Sequence, residues 1–165
     1  MRVTLEPATA EDAEAIASLR NEVARHLTAR HGKGPGSGNV SARGVLNDMR
    51  MLRVYVARAD GAVIATLTLG TRKPWAIDKA YFSACDRPLY LTAMAVAPER
   101  QRHGIGRRCL DEAQRIASAW PADMIRLDAF DAASGAGEFY RKCGFREVGR
   151  ASYRGTPLIY FERAV

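Results

Sequence analysis

PLYLTAMAVAPERQRHGIGRRCLDEA, Pro88 to Ala113, joins a nearly unbroken apolar run to an arginine-rich Gly-x-Gly turn and then to a helical pattern. The run from Pro88 to Pro98 suits a strand covered on both faces, which belongs at the centre of a sheet. From Gly104 onward Ile105, Cys109, Leu110, Ala113, Ile116, Ala117 and Trp120 form one stripe, opposed by Arg107, Arg108, Asp111, Glu112 and Arg115. Pro121 ends that helix. A second apolar run, DMIRLDAF, closes a strand-helix-strand unit from Pro88 to Phe130. Its right-handed crossover makes the two strands parallel and puts the helix start at the carboxyl edge of the central strand, where α/β sheets gather ligands.

The glycine turn is suited to an anion. Backbone N–H groups in a helix's first turn lack internal partners, and the helix dipole adds roughly half a positive charge there. Gly104 and Gly106 remove β-carbons that would hold a phosphate away, while Arg102, His103, Arg107 and Arg108 add charge. The alternative, that Gly-x-Gly only permits a tight strand-to-helix turn, stays open. No Lys-Ser or Lys-Thr follows as in a P-loop, and Cys109 stands where a dinucleotide fingerprint has its third glycine. Nucleotide hydrolysis and hydride transfer lose support.

Working outward, RVTLE (Arg2 to Glu6) alternates as a strand, and a helix follows with Thr9 as cap and a stripe of Ile16, Leu19, Val23 and Leu27. HGKGPGSGN (His31 to Asn39) reads as a flexible loop and VSARGVLNDMR as a short helix. RVYVARADGAVIATLTLGT is an antiparallel hairpin turning at Asp60-Gly61. After the central unit come a short helix, SGAGEFYRKC, closed by Gly144, and a final hairpin turning at Gly155-Thr156-Pro157. The order predicts one α/β domain over residues 1–165, a mixed sheet of about seven strands with about four helices.

The net charge of +7 and the pI near 9.7 favour anionic partners without choosing among nucleic acid, membrane surface and phosphorylated small molecules. Acidic residues mixed through every segment weigh against a basic nucleic-acid-binding module. Three cysteines in no CxxC spacing suggest neither disulfides nor a zinc site, and no metal is expected. With no signal-like or membrane-spanning segment, a soluble cytoplasmic protein is the expectation.

Two stretches carry a family resemblance. Gln101-Arg102-His103-Gly104-Ile105-Gly106 resembles the Gln/Arg-x-x-Gly-x-Gly/Ala signature of the GNAT superfamily of acyl-CoA N-acyltransferases, and Tyr140 to Phe145 resembles its Tyr-x-x-x-Gly-Phe segment. The order of elements agrees from Arg2 to Phe161. The resemblance implies that acetyl-CoA lies between splayed strands, Leu89 to Val96 and Met124 to Phe130. Main-chain groups of Met94 and Val96 would then bind the pantetheine arm. The diphosphate would rest on the N–H groups of Arg102, His103, Gly104, Ile105, Gly106 and Arg107, beside Gln101, and a main-chain N–H of Met94 or Ala95 would meet the oxyanion. Tyr140 would protonate the departing thiolate as general acid.

The acceptor would be a small-molecule or peptide amine that attacks the acetyl carbonyl directly in a ternary complex. Its proton acceptor is left open: Thr92 stands where some relatives carry a carboxylate, Asp78, Asp86 and His26 are candidates, and water is another route. Where relatives have Asn seven residues before the tyrosine, this chain has Ala133, with Ser134 beside it either replacing the contact or, as expected, capping the helix. Cys109 and Cys143 read as core residues. Trp75, Tyr81 and Phe82 either wall the acceptor pocket or cover the sheet. Monomer and homodimer both stay open, and a non-catalytic acetyl-CoA sensor is the alternative to an enzyme.

Overall fold

The computed structural model describes every residue except 35–37, so the middle of the His31–Asn39 loop lies outside the described residues. In chain order the elements are β1 (Glu6–Pro7), α1 (Ala13–His31), α2 (Ala42–Met51), β2 (Arg53–Ala59), β3 (Ala62–Gly70) and β4 (Pro88–Val96). Then follow α3 (Ile105–Ala119), β5 (Met124–Phe130), α4 (Gly137–Lys142), β6 (Arg146–Tyr153) and β7 (Thr156–Ala164). They form a seven-stranded sheet in the order β1-β2-β3-β4-β5-β7-β6. Only β4 and β5 pair in parallel, as the crossover rule requires, and β4 is the central strand.

Side-chain alternation divides the core between the two faces. On β2, Val54 and Val56 join Ile16 and Ala17 of α1 and Val45 of α2, while Tyr55 and Ala57 join the opposite cluster. That larger cluster combines the α3 stripe Ile105, Cys109, Leu110, Ala113 and Ala117 with Leu89, Leu91, Ile125 and Leu127. Each such fully buried aliphatic side chain contributes about 1.5–3 kcal/mol. Ile77 and Phe82 pack on Tyr90, Leu158 and Tyr160, so the segment before β4 covers the sheet beyond the reach of α1. Phe82 is therefore a cover, whereas Trp75 is 84% exposed and lies against nothing in the core. Among the described residues no helix is long and apolar enough to cross a membrane.

Two local expectations are corrected. The first strand is only Glu6–Pro7, because the Leu5 N–H donates to Glu112 Oε2 at 3.3 Å and Val3 and Leu5 sink into the α3 side of the core. The last hairpin turns at Arg154-Gly155, at φ of 49° and 79°, and not at Gly155-Thr156-Pro157. Tyr153 pairs with Thr156, which leaves a two-residue loop whose twist demands left-handed backbone at both positions. The Asp60-Gly61 turn matches expectation, at φ of 52° and 80°.

Candidate active site

The parallel pair separates soon after it forms. Tyr90 with Arg126 is the last matched pair of β4 and β5. From Leu91 onward β4 keeps β3 on one side and, among the described residues, has no strand on the other. A bulge marks the opening: Thr66 pairs with Ala95 and Thr68 with Thr92, so Ala93 and Met94 together face one residue, and Ala93 takes a φ of 52°. Met94, Ala95 and Val96 thus stand at the edge of a gap. The Val96 carbonyl accepts from Gln101 Nε2 at 3.0 Å, which ties the following loop to the strand end.

That loop turns sharply at Arg102 (φ 64°) and Gly104 (φ 79°) before α3 begins. Among the described residues no backbone carbonyl accepts from the N–H groups of Arg102 through Arg107; the first to be taken is that of Arg108, on Gly104 at 3.1 Å. Arg102, His103 and Gly104 are exposed. A β-carbon at Gly106 would lie 2.9 Å from Phe139 Cζ and 3.8 Å from Met94 Cε, so α3, α4 and β4 meet there with room for glycine alone. The Arg107 and Arg108 guanidinium groups do not crowd the turn: they donate to the carbonyls of Lys142 and Met1.

On the other side of the opening lies a cavity of about 200 Å³. Ala24, Leu27 and Thr28 of α1 form one wall, with Gly32 and Gly34 just beyond the helix. Asp128, Ala129 and Phe130 of β5, residues 134–136 and Tyr140 form the other. Tyr140 is buried among Phe139, Phe145 and Phe161, at ring separations of 5.3, 5.6 and 6.0 Å. Burial, with Asp128 and Cys143 beside it, holds its phenol well above the ordinary range, so it keeps its proton at neutral pH. Burial likewise raises the Asp128 carboxyl. Among the described residues no cation pairs with Asp128.

These positions sort the expected site residues into two groups. Met94, Ala95, Val96, Gln101 and the Arg102–Arg107 turn gather at one mouth of the opening, and Tyr140 lines the cavity. The candidate proton acceptors scatter. Asp86 is at the far end of β4, its N–H donating to Asp123 Oδ2 at 3.1 Å, close to a hollow of about 400 Å³ against Trp120 and Pro121. Asp78 caps a short turn through Ala80 N–H, its own N–H meeting the Tyr160 hydroxyl at 3.3 Å. Thr92 sits half-buried on the bulge flank. His26 and Thr92 do not line the cavity.

Ser134 does not cap α4. The cap position is Ala136, without a side-chain bond, because the helix starts only at Gly137, and Ser134 lines the cavity instead. Sequence reasoning missed Asp128. Its signal was present, since a carboxylate inside an apolar strand is costly unless it serves something.

The sequence matches the acetyltransferase (GNAT) domain family over residues 51–147. No curated protein matches it. Among solved structures it is similar to the PaiA N-acetyltransferase of Thermoplasma acidophilum in complex with coenzyme A, with a TM-score of 0.75 and 19% identity over 100% of both chains. It also resembles the ribosomal-protein-alanine N-acetyltransferase of Brucella melitensis (TM-score 0.72, 20% identity, 98% of this chain and 99% of that one). A third is YncA of Salmonella typhimurium with its cofactor acetyl-CoA (TM-score 0.69, 16% identity, 99% and 94%).

Proposed function

The chain belongs to the acetyltransferase (GNAT) domain family, and from that premise we propose that it transfers the acetyl group of acetyl-CoA to a primary amine by direct attack within a ternary complex. The observation that carries the reading is the opening between β4 and β5, with free backbone N–H groups at one mouth and a cavity holding Asp128 and Tyr140 at the other. The donor fits this chain. An unpaired strand edge suits an extended amide-bearing arm, and the N–H row from Arg102 to Arg107, relieved of β-carbons at Gly104 and Gly106, suits a diphosphate.

Each residue then has one task. A main-chain N–H of Met94 or Ala95, beside the bulge, donates to the carbonyl oxygen as it gains charge. Asp128, unpaired and facing the cavity, accepts the proton that the amine sheds on attack. Tyr140, still protonated because it is buried, gives its proton to the departing sulfur. A covalent acyl-cysteine is disfavoured: burial, with Glu112 nearby, pushes the Cys109 thiol up to about 11, and burial raises Cys143 as well.

Calorimetry with CoA and thiol-release kinetics with an amine panel test the reading together. Binding accompanied by amine-dependent thiol release, cut by about 10²-fold or more in Tyr140→Phe, is the expected result. Binding with no release from any amine would make this a sensor; no binding would remove the donor.

A further inference from the structure

We infer that the acceptor is a small amine with no carboxylate beside its nitrogen. The inference rests on the acetyl-transfer reading and narrows it. Of the described side chains lining the cavity, only Asp128 and Tyr140 are ionisable. A carboxyl and a phenol can add only negative charge or none, and Tyr140 must stay neutral to work. The remaining lining is apolar, as at Leu27 and Phe130, or hydroxyl, as at Ser134. Lys33 is exposed and is not among the lining residues.

Two cations on this face of the sheet are held by carboxylates. Arg20 reaches Asp48 at 3.4 Å, and Arg150 holds Asp131 at 3.2 Å and Glu147 at 2.7 Å. A second carboxylate adds to the negative side, since Asp78 and Asp128 both act on the Tyr160 hydroxyl across β5 and β7. An α-carboxylate entering here would leave water, meet no counter-charge among the described lining residues and face Asp128. An ammonium or a neutral amine meets the opposite conditions. Size points the same way: about 200 Å³ is below the roughly 300–1,000 Å³ of sites for drug-sized ligands.

Matched acceptors test this with the full chain and acetyl-CoA: phenethylamine, phenylalanine and phenylalanine methyl ester; isopentylamine, leucine and leucine methyl ester; and an alanine-initiated tetrapeptide. The expected kcat/KM for thiol release favours amine and ester over amino acid by at least about 30-fold. Each amine is more basic than its amino acid, so the proton on nitrogen cannot produce that preference; each ester is less basic, so its rate is compared per fraction of neutral amine. In Ala24→Arg, which puts a guanidinium on the cavity wall, the ratio should narrow by about tenfold. Equal use of amino acids and amines by the wild type overturns the inference and leaves acetyl transfer standing. A tetrapeptide faster than every small amine overturns it too. Failure of all acceptors, with CoA bound, overturns both.

Discussion

The two mouths of the β4–β5 opening are made of different material. At the α3 mouth the working groups are main-chain: a bulge at Ala93, a turn through Arg102 and Gly104, and N–H groups that no carbonyl takes. At the cavity mouth they are side chains, contributed by α1, β5 and α4, which lie far apart along the chain. Backbone geometry is set by a few glycines at fixed spacing and survives wide change elsewhere. A side-chain cavity can be re-specified by single substitutions. One mouth can therefore be common to many proteins while the other decides what each acts on.

Asp128→Asn should break that comparison most sharply. It removes the proposed proton acceptor yet leaves the α3 turn untouched, so kcat/KM should fall about 10²- to 10⁴-fold while calorimetry finds CoA affinity unchanged. Stability should move the other way. The folded Asp128 carboxyl titrates above its unfolded value of about 3.9, so folding binds a proton there and loses stability as pH rises between the two. The asparagine variant should therefore melt at a higher temperature than the wild type at neutral pH, and the advantage should vanish below about pH 4. A variant that is inactive and also less stable at pH 7 would mean Asp128 is a structural group, and the cavity mouth would lose its claim to chemistry.

The same division explains what the sequence revealed. The central strand, the crossover and the glycine turn were legible because each is a local pattern: an apolar run, a 3.6-residue stripe, a turn that needs glycine. The anion-binding reading followed from those residues alone. Asp128 was hidden inside MIRLDAF, where two-residue alternation explains Ile125, Leu127 and Ala129 on the core face and is silent about what Arg126 and Asp128 meet opposite. That depends on α1, which arrives from more than a hundred residues away. Ser134 misled for a related reason: serine is a preferred cap, but where α4 starts is decided by how the chain leaves β5, and the helix begins three residues later.

Gly106→Val sharpens the comparison from the α3 side. Its side chain would need the space Phe139 Cζ already fills at 2.9 Å from the β-carbon position, and Met94 is close behind. Forcing in that bulk costs about 1–3 kcal/mol. Because Phe139 and Met94 flank the opening, the cost should appear mainly in donor binding, as a roughly 10- to 100-fold weaker CoA Kd with the ranking of amine acceptors unchanged. A changed ranking would mean the two mouths are mechanically one.

Gly104→Ala should have the smallest effect, and it separates shape from space. Nothing lies within 4 Å of a β-carbon there, so only the left-handed φ of 79° resists it. That conformation costs a non-glycine residue roughly 1–2 kcal/mol, which should appear as a melting temperature lower by about 2–8 °C. Arg102 tolerates a φ of 64° two residues earlier, so the loop can hold a side chain in this conformation without unfolding. CoA affinity should then change by no more than a few-fold, less than for Gly106→Val. If the two glycine variants weaken CoA equally, the turn's exact backbone path, and not the clearance beside Phe139, is what grips the diphosphate, and the N–H row rather than the opening becomes the part that sets donor affinity.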